Sequence, residues 1–207
     1  MKIISEKDSA AISLAVDFLC AGKVISFATD TVYGIAVDAS NNKAIERIYS
    51  IKKRDKNKPI AIFLPNLLMA EKILSFDEMA KKVAEKFSQI PLTLILKKRP
   101  SALINLAPNL NQNDEFLGFR IVEKNFISEL LKNFGGVLAV TSANISGGEA
   151  SISAAQVKNY FNFNDIDLLI DGGICAKKIP STVIKISDNQ MTILREGEGF
   201  NINSLAL

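Results

Sequence analysis

Val24-Ile25-Ser26-Phe27-Ala28-Thr29-Asp30-Thr31-Val32-Tyr33-Gly34 is an apolar run that stops abruptly in hydroxyl, carboxylate and glycine groups. The first five residues, four of them apolar, have the length of a buried strand, and the polar residues after them are turn chemistry. Just upstream, residues 8–21 carry Ile12, Ala15, Val16 and Leu19 at helical spacing, with Asp8 or Ser9 as the expected N-cap and Gly22 as the stop. A helix feeding a buried strand is the building unit of an α/β fold.

The same alternation continues outward. Residues 42–53 predict a second helix through Ala44, Ile45, Ile48 and Ile51, and residues 59–64 predict a strand. Residues 66–89 give one or two helices, with Met79, Val83 and Phe87 on one stripe. Strands at 92–96 and 116–121 bracket a loop rich in proline and asparagine at 100–114. A helix at 126–134 stops at Gly135-Gly136 and leads into a strand at 137–141. A short helix near 153–161 precedes a strand at 167–170, and strands at 182–187 and 191–194 flank Asp188-Asn189, a hairpin signal. Interleaved crossovers and a terminal hairpin predict one α/β domain over residues 1–207, built on a mixed sheet.

Composition narrows the chemistry. Hydrophobic residues make up 48% of the 207 and charged residues 23%, an ordinary globular balance. The longest apolar runs, 60–64 and 92–96, are strand-sized, and the chain becomes charged at Lys2 and Glu6. The expectation is a cytoplasmic protein without a membrane segment. Histidine is absent, which excludes Ser-His-Asp and Cys-His nucleophile pairs and the commonest zinc ligand. Cys20 ends an apolar helical pattern and reads as a packed small hydrophobe, whereas Cys175 follows Gly172-Gly173 and reads as an exposed thiol. No metal site is expected. The net charge of +3 is small, so an anionic partner must be met by a local cluster.

Such a cluster is visible at the strand ends. Val137-Leu138-Ala139-Val140 runs into Thr141-Ser142-Ala143-Asn144-Ile145-Ser146-Gly147-Gly148, and Arg120 and Arg195 sit within or directly after apolar strands. Ligands of open α/β sheets collect outside strand ends. Ordinary turn chemistry accounts for either polar segment alone, and Lys52, Lys53, Arg54, Lys56 and Lys58 suit a solvated helix end. Arg120 and Arg195 are different, because a cation within an apolar strand must find an anion or reach the surface. Taken together, these groups suggest a polyanion site. No P-loop and no G-x-G-x-x-G is present.

Several of these segments resemble the signature blocks of the YrdC-type threonylcarbamoyl-adenylate synthases. They are Thr29-Asp30-Thr31-Val32-Tyr33-Gly34, Ile51-Lys52-Lys53-Arg54 with Lys58-Pro59, and Thr141-Ser142-Ala143-Asn144-Ile145-Ser146-Gly147. Pro91-Leu92-Thr93, Gly118-Phe119-Arg120, Pro180-Ser181-Thr182-Val183 and Leu194-Arg195-Glu196-Gly197 follow in the family's order, so the resemblance runs from about Gly22 to Gly199. Longer family members add a C-terminal domain, and the expectation here is the short, single-domain form.

The resemblance implies a twisted mixed sheet curved into a half-open barrel with helices outside. It implies synthesis of threonylcarbamoyl-AMP from L-threonine, bicarbonate and ATP, with Mg2+ held mainly by the triphosphate. Lys52 and Arg54 would be the catalytic cations on the triphosphate, with Lys58 beside them. Asn144 and Arg195 would hold the nucleotide. Thr31, Arg120, Ser142 and Ser181 would form the threonine pocket, and Tyr33 would line its wall. The product would pass to threonylcarbamoyl-transferase proteins acting on tRNA, with a tRNA contact as a further expectation. The alternative is an RNA-binding or carbamoyl-transfer module of the same fold. Phe63 stands where many relatives carry histidine.

Overall fold

A computed structural model describes residues 1–85, 90–100, 104–112, 114–122, 126–197 and 201. The first half runs β1 (Lys2–Ser5), α1 (Ala11–Cys20), β2 (Ile25–Ala28), β3 (Tyr33–Asp38), α2 (Asn42–Ile51), β4 (Ala61–Leu64), α3 (Leu67–Glu71), α4 (Glu78–Ala84) and β5 (Leu92–Lys97). The second half runs β6 (Phe116–Ile121), α5 (Phe126–Phe134), β7 (Leu138–Ser142), α6 (Ala154–Tyr160), β8 (Leu168–Asp171), β9 (Thr182–Ser187) and β10 (Gln190–Arg195). The strands form one ten-stranded sheet in the order β1-β8-β2-β3-β7-β4-β6-β5-β9-β10. It is mixed, as expected: β8 runs parallel to β1 and β2, and β4 to β6, while β2/β3, β3/β7 and β9/β10 are antiparallel. The sheet is twisted and not closed, with β1 and β10 at its edges.

Two strands were not legible as strands. β3 is buried along nearly its whole length, so it lacks the polar alternation that marks a half-buried strand. β1 is an exposed edge whose partner β8 lies at the other end of the chain. The expected cap of α1 also differs. Ala10 stands at the N-cap without a side-chain bond, while Asp8 accepts from the Ala10 N–H at 2.9 Å and closes the preceding turn. Gly22 does end the segment: its φ of +68° lets its N–H and that of Lys23 reach the carbonyls of Leu19 and Phe18. In α1 the buried face is Ala11, Ala15 and Leu19, which leaves Cys20 exposed rather than packed. Within the 66–89 segment the described residues form two helices, α3 and α4, and Phe87 lies outside the described residues. Asp188 and Asn189 have φ of 54° and 57°, the paired left-handed turn that a tight hairpin requires.

The two sheet faces are covered unequally, and this creates the site. One face packs Ile35, Ile62, Leu94, Phe119 and Ile184 against helix residues such as Ile45, Ile48 and Val83 in one continuous core. The opposite face is covered by α1 and α5 only over β8, β2, β3 and β7, where Phe27, Ala36, Leu138 and Ile170 meet Leu19, Phe126 and Leu130. Over β6, β5 and β9 the second face carries Gly118, Arg120, Thr93, Ile95 and Val183, which line a cavity. Strand alternation decides this, because Phe119 and Arg120 are neighbours in sequence and point to opposite faces.

Candidate active site

The uncovered half of the sheet encloses about 260 Å3. Its walls include Thr31, Arg54, Arg120, Ser142, Ser181 and Arg195, so six of the nine expected site residues meet in one cleft. Lys52, Lys58 and Asn144 are not on its walls.

Arg120 is only 4% exposed. It forms an ion pair through Nη2 with Asp30 Oδ2, donates from Nη1 to Thr31 Oγ1 at 3.2 Å, and lies over the Phe63 ring at 5.7 Å. Burial lowers its pKa, and the Asp30 carboxylate opposes that shift. The turn that delivers Asp30 is organised by Thr29, whose hydroxyl donates to the Val32 carbonyl at 2.6 Å and accepts from the Thr31 and Val32 N–H groups. Asp30 is the residue that sequence reasoning missed. Its signal was available: a carboxylate between two threonines directly after a buried strand, in a chain with arginine on another such strand.

On the other wall, Arg195 donates from Nε to the Ser181 carbonyl at 2.9 Å, and Ser181 Oγ is 2.7 Å from Thr93 Oγ1. Burial lowers the Arg195 pKa, and the nearby Arg120 charge adds to the effect. The two arginines therefore share one electrostatic field, which favours a bound anion.

The K-x-R segment splits in two directions. α2 ends at Ile51, and Lys53 takes a left-handed φ of 49° that turns the chain between the two cations. Arg54 reaches the cleft wall, donating from Nε to the Lys58 carbonyl at 3.1 Å and from Nη2 to that of Pro59 at 2.8 Å. Lys58 itself is exposed. Lys52 turns inward and is 1% exposed. Its ammonium donates to the Ser142 carbonyl, to the Asn144 carbonyl at 2.6 Å and to Asn144 Oδ1 at 3.3 Å. Asn144 in turn donates to the carbonyls of Ile145 and Gly148, at 2.9 and 2.6 Å. Lys52 and Asn144 thus lie beneath the site as the brace that fixes Ser142.

Tyr33 is among the wall residues. Its side chain is fully buried, and its hydroxyl donates to the Gly173 carbonyl at 2.8 Å and accepts from the Gly172 N–H at 3.1 Å. Cys175 is 4% exposed, contrary to the expected surface thiol, and burial pushes its pKa up to about 11. Its N–H is tied to the Ile152 carbonyl, which turns the side chain of this loop residue into the core. No group of three or more metal-ligating side chains occurs among the described residues.

The floor offers a direct test. A Cβ at Gly118 would meet Ala61, Ile95 and Thr93 at 3.5 to 3.6 Å, ordinary contact distances. Gly118→Ala is therefore expected to melt within a few degrees of wild type yet bind small ligands of the cleft several-fold more weakly by calorimetry, because the added carbon occupies the floor.

An open mixed sheet whose uncovered face gathers three arginines and several hydroxyls defines an α/β protein with a small cationic cleft. The Sua5/yciO/yrdC family model, described as telomere recombination, matches residues 17–197, and the chain belongs to this family. A Methanocaldococcus jannaschii protein with a provisional threonylcarbamoyl-AMP synthase name is 38% identical over 176 residues, covering 85% of this chain and 80% of that one. The threonylcarbamoyl-AMP synthase of Mus musculus is 30% identical over 194 residues, 90% of this chain and 67% of its own. The crystal structure of P. abyssi Sua5 complexed with L-threonine superimposes with a TM-score of 0.88 at 28% identity, covering 99% of this chain and 59% of that one.

Proposed function

We propose that this protein is a threonylcarbamoyl-AMP synthase, converting L-threonine, bicarbonate and ATP into threonylcarbamoyl-AMP and pyrophosphate. The observation that carries this is the meeting of Arg54, Arg120 and Arg195 with Thr31, Ser142 and Ser181 in one histidine-free cleft. The names of the relatives support a synthase over an RNA-binding or carbamoyl-transfer module. The whole chain acts as one catalytic unit.

The residue types suit the chemistry. Threonine's amine and bicarbonate give a carbamate and water. A carbamate oxygen then attacks the α-phosphorus, and the bond to pyrophosphate breaks. Such a displacement needs alignment and charge neutralisation more than a protein nucleophile. Arg120 takes the threonine carboxylate in a planar fork, with the hydroxyls of Thr31, Ser142 and Ser181 around the amino acid. Arg54 and Arg195 neutralise the triphosphate, with Lys58 at the mouth. Lys52 and Asn144 act one layer back by holding Ser142 in place. Mg2+ would be held mainly by the triphosphate oxygens and would neutralise part of their charge. The product passes to a transferase that modifies tRNA. The site of action in this reading is the cytoplasm. No helix among the described residues is long and apolar enough to cross a membrane.

Pyrophosphate release requiring both L-threonine and bicarbonate, with the adenylate detected by mass, tests the assignment; orthophosphate release without an adenylate refutes it. Arg54→Ala is expected to lose at least about tenfold in this assay, since each charge-assisted contact contributes about 1.5–3 kcal/mol. Full activity in a folded variant would return Arg54 to a surface role.

A further inference from the structure

The pair between Asp30 and Arg120 is half made. Asp30 Oδ2 meets Nη2, but Asp30 Oδ1 and Arg120 Nε are both buried and have no hydrogen-bond partner among the described residues. A carboxylate facing an arginine side-on can satisfy both arms at once. Here one arm is closed, and the other leaves a donor and an acceptor unmatched, each at a desolvation cost. Such a contact neutralises the guanidinium without saturating it. The guanidinium has anchors besides Asp30: the Thr31 hydroxyl holds Nη1 at 3.2 Å and the Phe63 ring lies 5.7 Å from it. The Asp30 side chain is 37% exposed against 5% for Arg120, so it is the aspartate that has somewhere to go.

We propose that Asp30 is a displaceable counter-ion that sets the affinity and selectivity of the Arg120 fork, its place being taken by the carboxylate of an incoming α-amino acid. The exchange keeps the buried cation neutralised throughout, because one carboxylate replaces another. It also raises the threshold for binding. A tethered carboxylate competes at high effective concentration, so a simple anion that offers only its charge cannot displace it. An amino acid can, because its remaining polar groups gain partners among the hydroxyls of Thr31, Ser142 and Ser181. This deepens the synthase assignment by naming what determines amino-acid selectivity, and it rests on that assignment only for the identity of threonine.

The test is calorimetric titration of wild type, Asp30→Asn and Asp30→Ala with L-threonine and, separately, with sodium acetate, each without nucleotide. Removing the competitor is expected to tighten L-threonine by about fivefold or more and to make acetate binding measurable where wild type shows none. A residue that merely held the arginine in position would weaken threonine on removal, and that result, or unchanged affinity for both ligands, overturns the proposal. Acetate binding to the variants without threonine binding would uphold the counter-ion role and count against the synthase assignment instead. Should both variants fail to fold, a crystal structure of wild type with L-threonine decides the matter: Asp30 withdrawn from Arg120 upholds displacement, and an intact pair refutes it.

Discussion

Arg120→Lys is expected to weaken L-threonine binding by at least about tenfold while leaving nucleotide affinity within about twofold, because the planar fork is lost and its charge retained. The substitution is informative because it separates fold from function. A lysine at position 120 still supplies a cation to Asp30, so the buried carboxylate oxygen is not left facing an uncharged wall. What disappears is the ability to serve two partners at once. Arg120 now bonds Asp30 and Thr31 and keeps Nε in reserve. An ammonium at the end of a flexible stem cannot reproduce that geometry. Separate titrations with threonine and with ATP, on a variant whose melting curve matches wild type, check the prediction. Equal losses for both ligands would move Arg120 out of the amino-acid pocket.

Lys52→Met is expected to destabilise the protein by about 3 kcal/mol and to cut activity by more than tenfold, although residue 52 is not on the cleft wall. Methionine fills much the same volume but leaves the Ser142 and Asn144 carbonyls unpaired at a fully buried position. Ser142 then loses the anchor that presents its hydroxyl to the cleft. The variant also carries a signature in pH. Burial, reinforced by the Arg54 charge, pushes the Lys52 pKa down to about 7 from the ordinary 10.5. Between these values the unfolded chain binds more protons at this position than the folded one, so wild type gains stability as pH rises. The stability difference between wild type and Lys52→Met should therefore widen from about pH 7 towards 10.5, measured by denaturant titration at several pH values. A difference independent of pH would mean that the three oxygen acceptors hold the ammonium fully protonated.

Much of the architecture was open to reading from local pattern. Helical spacing at Ala15 and Leu19, and at Ala44, Ile45 and Ile48, identified the buried faces of α1 and α2. Where the pattern misled, it did so for definable reasons. Cys20 sits one position beyond the buried Leu19, and one helical step of about 100° carries it off the apolar face. Cys175 lies in a loop, where burial follows from tertiary contacts such as the backbone bond to Ile152 and not from periodicity. β3 could not be seen because a strand covered on both faces does not alternate.

By itself the sequence determined the alternation of helices and strands, the polar groups at the strand ends, and a chemistry that works without histidine. Those properties are local: a side chain's face follows from spacing along its own element, and a residue type is simply present or absent. Only the tertiary structure decided which strand ends meet. The order β7-β4-β6-β5-β9 places Ser142, Arg120 and Ser181 around one cavity, although the strands involved are not consecutive in the chain. It also decided that Lys52 braces from below while Arg54 faces the cleft, through one left-handed residue between them. The partner of Arg120 is an aspartate 90 positions away. Pairing at that separation is settled by sheet register and by which face the helices leave uncovered, and neither is written in any one segment.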